Sequence, residues 1–147
     1  MAKKGVIYNM YRLTLICSIV FALGCTGDAG PALPELEPVT GTVTLDGKPL
    51  GNADVFFVPV NQGLEAIVKT NAEGVYELEI RGNKGIAAGD YKVTIVKRVK
   101  PDGSDIDKGG GLGENLLPPK YSEIPTTELK ATVPKGGGKI DFPLTLK

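Results

Sequence analysis

The sequence predicts an all-β domain, a β-sandwich of seven short strands. Three observations carry that reading. From Val39 onward the apolar residues recur with a period of two. Glycine-, proline- and asparagine-containing turn signals separate the alternating runs. No stretch shows the 3.6-residue period of an amphipathic helix. A length of 147 residues suits a single hydrophobic core.

The strands follow in order. Val39–Leu45 places Val39, Val43 and Leu45 on one face and Thr40, Thr42 and Thr44 on the other, and Asp46-Gly47 with Lys48-Pro49 turns the chain. Ala53–Val60 is apolar on both faces, as a central strand is, and Pro59 ends its ladder because it has no N–H to donate. Leu64–Thr70 is the third strand, and Asn71–Gly74 is a turn. In Val75–Ile80, Tyr76, Leu78 and Ile80 face inward and Glu77 and Glu79 outward. Gly89–Val99 repeats the pattern, with Tyr91, Val93 and Ile95 inward and Lys92 and Thr94 outward. Leu129, Ala131 and Val133 share a face in the sixth strand. Gly136–Gly138 then turns into Lys139–Lys147, where Ile140, Phe142, Leu144 and Leu146 oppose Lys139, Asp141, Thr145 and Lys147. Residues 101–119 form a long glycine-rich connection, expected to be disordered or loosely packed.

Residues 1–24 read as an export signal. They carry Lys3, Lys4 and Arg12, no acidic residue, and an 11-residue apolar run, Leu13–Leu23. A bilayer core takes about 20 helical residues to cross, so the run is too short to span it. An uncleaved anchor over Val6–Leu23 is the alternative reading. Ala22-Leu23-Gly24-Cys25 resembles the bacterial lipobox, which implies cleavage after Gly24 and diacylglyceryl modification of Cys25. Ordinary signal cleavage at small-x-small Ala22-x-Gly24 cuts at the same bond and stays open. Cys17 leaves with the signal, so an unmodified Cys25 would be a lone thiol in an exported chain. Two or three acyl chains, palmitate among them, at about 0.8 kcal/mol per buried CH₂, make a stable anchor. Residues 25–38, proline-rich and without periodicity, read as a tether that holds the 39–147 domain off the membrane. Thr26, not aspartate, follows the cysteine, which resembles outer-membrane sorting in some bacteria; the expected location is the cell membrane or outer membrane, facing the periplasm or exterior.

Composition excludes several function classes. The 17 basic residues equal the 17 acidic ones, and three basic residues leave with the signal, so 14 oppose 17; nucleic acid is not an expected partner. Histidine is absent, which removes Ser–His and Cys–His catalytic pairs and histidine-bearing zinc sites. Asp102, Ser104, Asp105 and Asp107 offer oxygens for calcium, but Ile106 and the misplaced Glu114 break the ligand spacing, and a solvated loop is the expectation. Gly109–Gly113 lacks the Lys-Ser pair of a phosphate loop and reads as a linker. Tyr76 and Tyr91 are expected as buried rings with bonded hydroxyls, not as a sugar platform, which leaves Tyr121 as the aromatic beside the long connection. Glu77 and Glu79 lie on a polar face, without the burial that raises an acid's pKa, and read as surface charges. The sequence therefore predicts no catalytic residue, no metal ligand and no cofactor.

Val39-x-Gly41-x-Val43-x-Leu45-Asp46-Gly47-Lys48-Pro49-Leu50 followed by Ala53-x-Val55-x-Phe57 resembles the opening of carboxypeptidase-regulatory-like, transthyretin-related domains. The likeness continues through Thr70-Asn71-x-x-Gly74-x-Tyr76-x-Leu78 and Gly89-x-Tyr91-x-Val93. Leu117-Pro118-x-Lys120-Tyr121 and Thr126-Thr127-x-Leu129-x-Ala131-x-Val133 are similar to the C-terminal part of small lipoproteins of planctomycete-type bacteria. The resemblance covers residues 39–147 and implies a seven-stranded antiparallel Greek-key sandwich, prealbumin-like, in a non-catalytic accessory role. It implies no particular ligand. Transthyretin-related enzymes that hydrolyse a purine-degradation intermediate rely on histidines, and this chain has none. The leading expectation is a lipid-anchored envelope protein with a structural or protein-interaction role and an envelope protein as partner. A binding module for a polysaccharide or small ligand is the alternative.

Overall fold

The computed structural model describes residues 32–106 and 113–146. Leu33–Lys147 forms one compact unit. Its chain runs β1 (Val39–Leu45), β2 (Lys48–Pro49), β3 (Asp54–Pro59), β4 (Ala66–Lys69), β5 (Val75–Glu77), β6 (Glu79–Ile80), β7 (Asn83–Lys84), β8 (Gly89–Val96), β9 (Arg98–Val99), β10 (Glu114–Asn115), a single helical turn α1 (Pro119–Ser122), β11 (Lys130–Val133), β12 (Gly138–Lys139) and β13 (Phe142–Leu144). Each of the seven alternating runs carries strand, so the described chain is all-β, with α1 its only helix.

Two sheets enclose the core. One is four-stranded and wholly antiparallel, in the order β11-β8-β3-β4, so β3 is central, as its apolar faces require. In the other, β1 is flanked by β2 and β5 on one side and by β12 and β13 on the other. Here the expected antiparallel arrangement gives way. The C-terminal run pairs parallel to β1, Val39 beside Gly138 and Val43 beside Phe142. Between these two pieces Thr42 N–H donates to Asp141 Oδ1 at 2.8 Å, so a side chain bridges the break in the ladder.

The buried faces are those the alternation specifies. Phe57 and Tyr91 of the four-stranded sheet meet Tyr76 and Phe142 of the other, with Phe57 ring centroids 6.1, 5.9 and 6.0 Å from Tyr76, Tyr91 and Phe142. Such tilted and edge-on pairs each add about 0.5–1.5 kcal/mol beyond area burial. Val39, Val43, Val55, Leu78, Ile86, Val93 and Ile95 complete a fully buried centre.

Turn chemistry sets the hairpins. Asp46 and Gly47 both have positive φ, 49° and 78°, the geometry of the two-residue turn that matches strand twist. Lys48-Pro49, expected as part of that turn, instead pairs back onto Thr44-Leu45 as β2. Arg81 and Gly82 repeat the device between β6 and β7. Asn71 organises the next turn, its Oδ1 accepting from Glu73 N and Val75 N.

Several expectations change at the edges. The end of the tether is docked: Leu33 and Leu36 pack against the core, and Glu37 bridges Ile86, because two leucines within six residues gain more from burial than from solvent. The flanks of the 101–119 connection are also held. Val99 bridges Asp105, β10 pairs with β9, and Leu117 is buried. Residues 107–112 lie outside the described residues. Thr94, expected to face solvent, is 4% exposed, since Ser122–Pro125 lie beside it. Leu146, expected inward, is exposed beyond the end of β13.

Candidate functional site

Three groups of side chains are the candidates for a site. The first surrounds Lys97, just past β8. Its Nζ donates to Gly51 O at 2.7 Å and forms a short ion pair with Asp105, while Asn52 Nδ2 donates to the other Asp105 oxygen at 2.8 Å. The lysine side chain is 7% exposed and the carboxylate 49%, so water reaches one end of the pair. Hydrogen bonds from Lys97 and then Asn52 hold the Asp105 carboxyl below its ordinary value. Lys97 N–H also donates to Asn115 Oδ1 at 3.2 Å. Among the described residues no buried side-chain nitrogen or oxygen lacks a hydrogen-bond partner, and this cluster ties β8, the 101–106 turn and the approach to β3 together. The sequence reading missed it, because nothing local marks a lysine for burial.

The second group is the pair of tyrosines. Tyr76 Oη donates to Ile140 O at 2.6 Å and Tyr91 Oη to Ala87 O at 2.8 Å. Burial, and for Tyr76 also the Asp141 charge, pushes the Tyr76 phenol well up; burial alone raises that of Tyr91. Both are buried rings with bonded hydroxyls, as expected. Tyr121 departs from expectation: it is 8% exposed, its Oη accepts from Thr145 N at 3.4 Å, and Lys120 Nζ sits 4.8 Å from its ring centroid. It offers no open ring for stacking a sugar. Glu77 accepts from Lys84 Nζ at 2.9 Å and, like Glu79, is exposed.

Asp102 and Asp105, expected as neighbours in a polar loop, serve separate structural ends. Asp102 caps its own turn, its Oδ1 accepting from Ser104 N–H at 2.9 Å and from Ser104 Oγ at 2.6 Å, which lowers its pKa. Asp105 belongs to Lys97. Among the described residues no acidic, cysteine or histidine cluster could hold a metal ion. Asp107 lies outside the described residues, as do residues 109–112, the 1–24 signal with its Gly24 cleavage position, and Cys25 with the first part of its tether. Among the described residues no helix is long and apolar enough to cross a membrane.

The third group is an open groove of about 570 Å³ on the outer face of the four-stranded sheet, lined by Phe56, Thr94 and Val96 from the strands and by Ile124 and Pro125 from the segment after α1, with Glu65 and Glu123 also on its walls. Ile67, the cross-strand partner of Phe56, is 56% exposed, and Ile124 48%. The sequence signal for this region was the two-sided apolarity of Ala53–Val60, which demands a covering layer; which residues cover it was not legible. Comparisons with known protein families, with curated proteins and with solved structures give no match for this chain.

Proposed function

We propose that this chain is a lipid-anchored, non-catalytic envelope protein whose β-domain acts by contact, in a structural or protein-interaction role. The observation that carries the reading is the contrast between the two kinds of surface. The titratable side chains nearest to forming a site, Lys97, Asp105, Tyr76 and Tyr91, are consumed by internal hydrogen bonds. What is left to the outside is an apolar strip, Phe56, Ile67 and Ile124, beside the edge strand β4. Edge strands and apolar strips are what partner proteins recognise. The two-sheet core and the Gly41–Tyr76 and Asp46-Gly47 positions support assignment to the carboxypeptidase-regulatory-like, prealbumin-like group with its Greek-key sandwich. The groove favours the second reading, a small-ligand or oligosaccharide module, because its volume lies in the range of small-molecule sites.

Intact mass of the mature protein extracted with detergent from its host tests the anchor. A mass of residues 25–147 plus a diacylglyceryl group, with or without a third acyl chain, supports it; a bare Cys25 terminus overturns it. A photo-crosslinker at position 124 tests the contact role. A discrete protein adduct at the envelope supports contact, and its absence together with saturable oligosaccharide binding in the groove turns the assignment to the second reading.

A further inference from the structure

The edge strand β4 carries a pattern that matches only itself. β4 pairs with β3 on one side and, among the described residues, hydrogen-bonds to no strand on the other, although β6 lies close by. Thr70 N–H donates to Ala53 O at 2.9 Å, and the alternation of strand backbone groups then turns Val68 and Ala66 toward β3. The N–H and C=O groups of Ile67 and Lys69 therefore point to the open side, and Glu65 immediately precedes the strand. The side chains of Ile67 and Lys69 take the outer face of the sheet, where Ile67 stands beside Phe56, and Glu65 lines the groove on that same face. Read along the strand, the face is acidic, apolar, basic, centred on Ile67.

We propose that a second copy of this chain docks on β4, antiparallel, about a two-fold axis through Ile67. In that register Ile67 exchanges both backbone hydrogen bonds with Ile67 of the second copy. Glu65 stands directly opposite Lys69 of the second copy, twice by symmetry. The two four-stranded sheets join into one. Charges on an edge strand ordinarily deter pairing. Here they select a register: parallel pairing sets glutamate against glutamate and lysine against lysine, and a two-residue slip loses both ion pairs. The groups are available for this. Lys69 is bonded to Asp54 at 2.7 Å yet is 57% exposed, and Glu65 is exposed and makes no ion pair among the described residues. A two-fold contact in which the same patch faces itself is the commonest way for a chain to self-associate. A single strand pair buries little, so the dimer is weak and concentration-dependent. This inference names the partner for the contact role proposed above and rests on that reading's exposed strip, not on the Cys25 anchor.

The test is charge reversal in the full-length chain in detergent, read by sedimentation over a concentration series. Glu65→Lys and Lys69→Glu each turn two attractive cross-strand pairs into repulsive ones, and each raises the dimer dissociation constant about tenfold or more. Mixing the two variants restores association, because Glu65→Lys presents two lysines to the two glutamates of Lys69→Glu. The double variant E65K/K69E also dimerises like the parent, and unchanged circular dichroism shows that each variant folds. A parent chain that stays monomeric, or single variants that fail to complement each other, overturns the dimer. If the parent stays monomeric while the position-124 crosslinker captures another envelope protein, the self-docking fails and the contact role stands. If the parent stays monomeric and no envelope adduct forms, the self-docking fails, and saturable oligosaccharide binding in the groove turns the assignment to the second reading.

Discussion

Gly41 is the position where the packing tolerates least. It lies in β1 directly opposite Tyr76 of β5, whose ring crosses over it to reach the Ile140 carbonyl. A Cβ built at Gly41 falls 2.6 Å from Tyr76 Oη and 2.7 Å from its Cε1, and closer still to Ile140 O. Both neighbours must move. Overpacking of this kind costs about 1–3 kcal/mol. Displacing the tyrosine also forfeits a hydrogen bond with a net worth of about 1 kcal/mol. Gly41→Ala therefore loses about 2–4 kcal/mol, a large share of the 5–15 kcal/mol of a typical domain. Urea unfolding followed by far-ultraviolet circular dichroism reads it as a lower midpoint at unchanged slope. Tyr76→Phe, which keeps the ring and removes the hydroxyl, loses about 1–2 kcal/mol. The double variant tests the cause. If the added methyl acts by displacing the Tyr76 hydroxyl, the hydrogen bond is lost in either single variant, and the double falls short of their sum by about 1 kcal/mol. A Gly41→Ala loss below about 1 kcal/mol, or strict additivity with Tyr76→Phe, refutes the reasoning.

Thr70 is 2% exposed, accepts from Ala53 N at 2.9 Å and donates to Leu50 O at 2.7 Å. Thr70→Val orphans both partners and costs about 2–4 kcal/mol in urea unfolding, while Thr70→Ser keeps the bonds and costs less. Asp105→Asn leaves the Lys97 charge without its carboxylate and lowers stability by about 1–2 kcal/mol near neutral pH, less than for a fully buried pair because water reaches Asp105. The folded-state pKa of Asp105 lies below its ordinary value, so its contribution is present above about pH 4 and is lost as pH falls through the lower folded value. The parent and variant melting curves accordingly converge in acid; a gap that persists at the lowest pH argues against the ion pair. Tyr76 shifts the other way. Its raised pKa means that its neutral form stabilises the fold fully below about pH 10, and that this contribution falls as pH rises beyond it. Alkaline unfolding of Tyr76→Phe should be less steep than that of the parent over that range.

What the sequence by itself determined is which face of each strand is buried, and where the chain turns. Tyr76, Leu78 and Ile80 face the core and Glu77 and Glu79 do not, because side chains alternate sides along a strand and burial favours the apolar set. Asp46-Gly47 and Asn71–Gly74 turn the chain because those residues tolerate positive φ or bond their own backbone, both strictly local properties. Tertiary structure decided everything that needs a second, distant segment. Alternation along Lys139–Lys147 predicts a strand but not its direction, and only the packed domain sets it parallel to β1, with Asp141 joined to Thr42 across 99 residues. Alternation placed Thr94 outward, and it is buried because Ser122–Pro125, brought by the turn at α1, occupy the space that solvent would have taken. Tyr121 is withdrawn from the surface by contact with Thr145. Lys97 is buried because the Gly51 carbonyl and Asp105, itself held by Asn52, converge on it from two separate loops. A charged side chain is solvated by default, and no pattern within its own strand announces that partners elsewhere in the chain will replace the water.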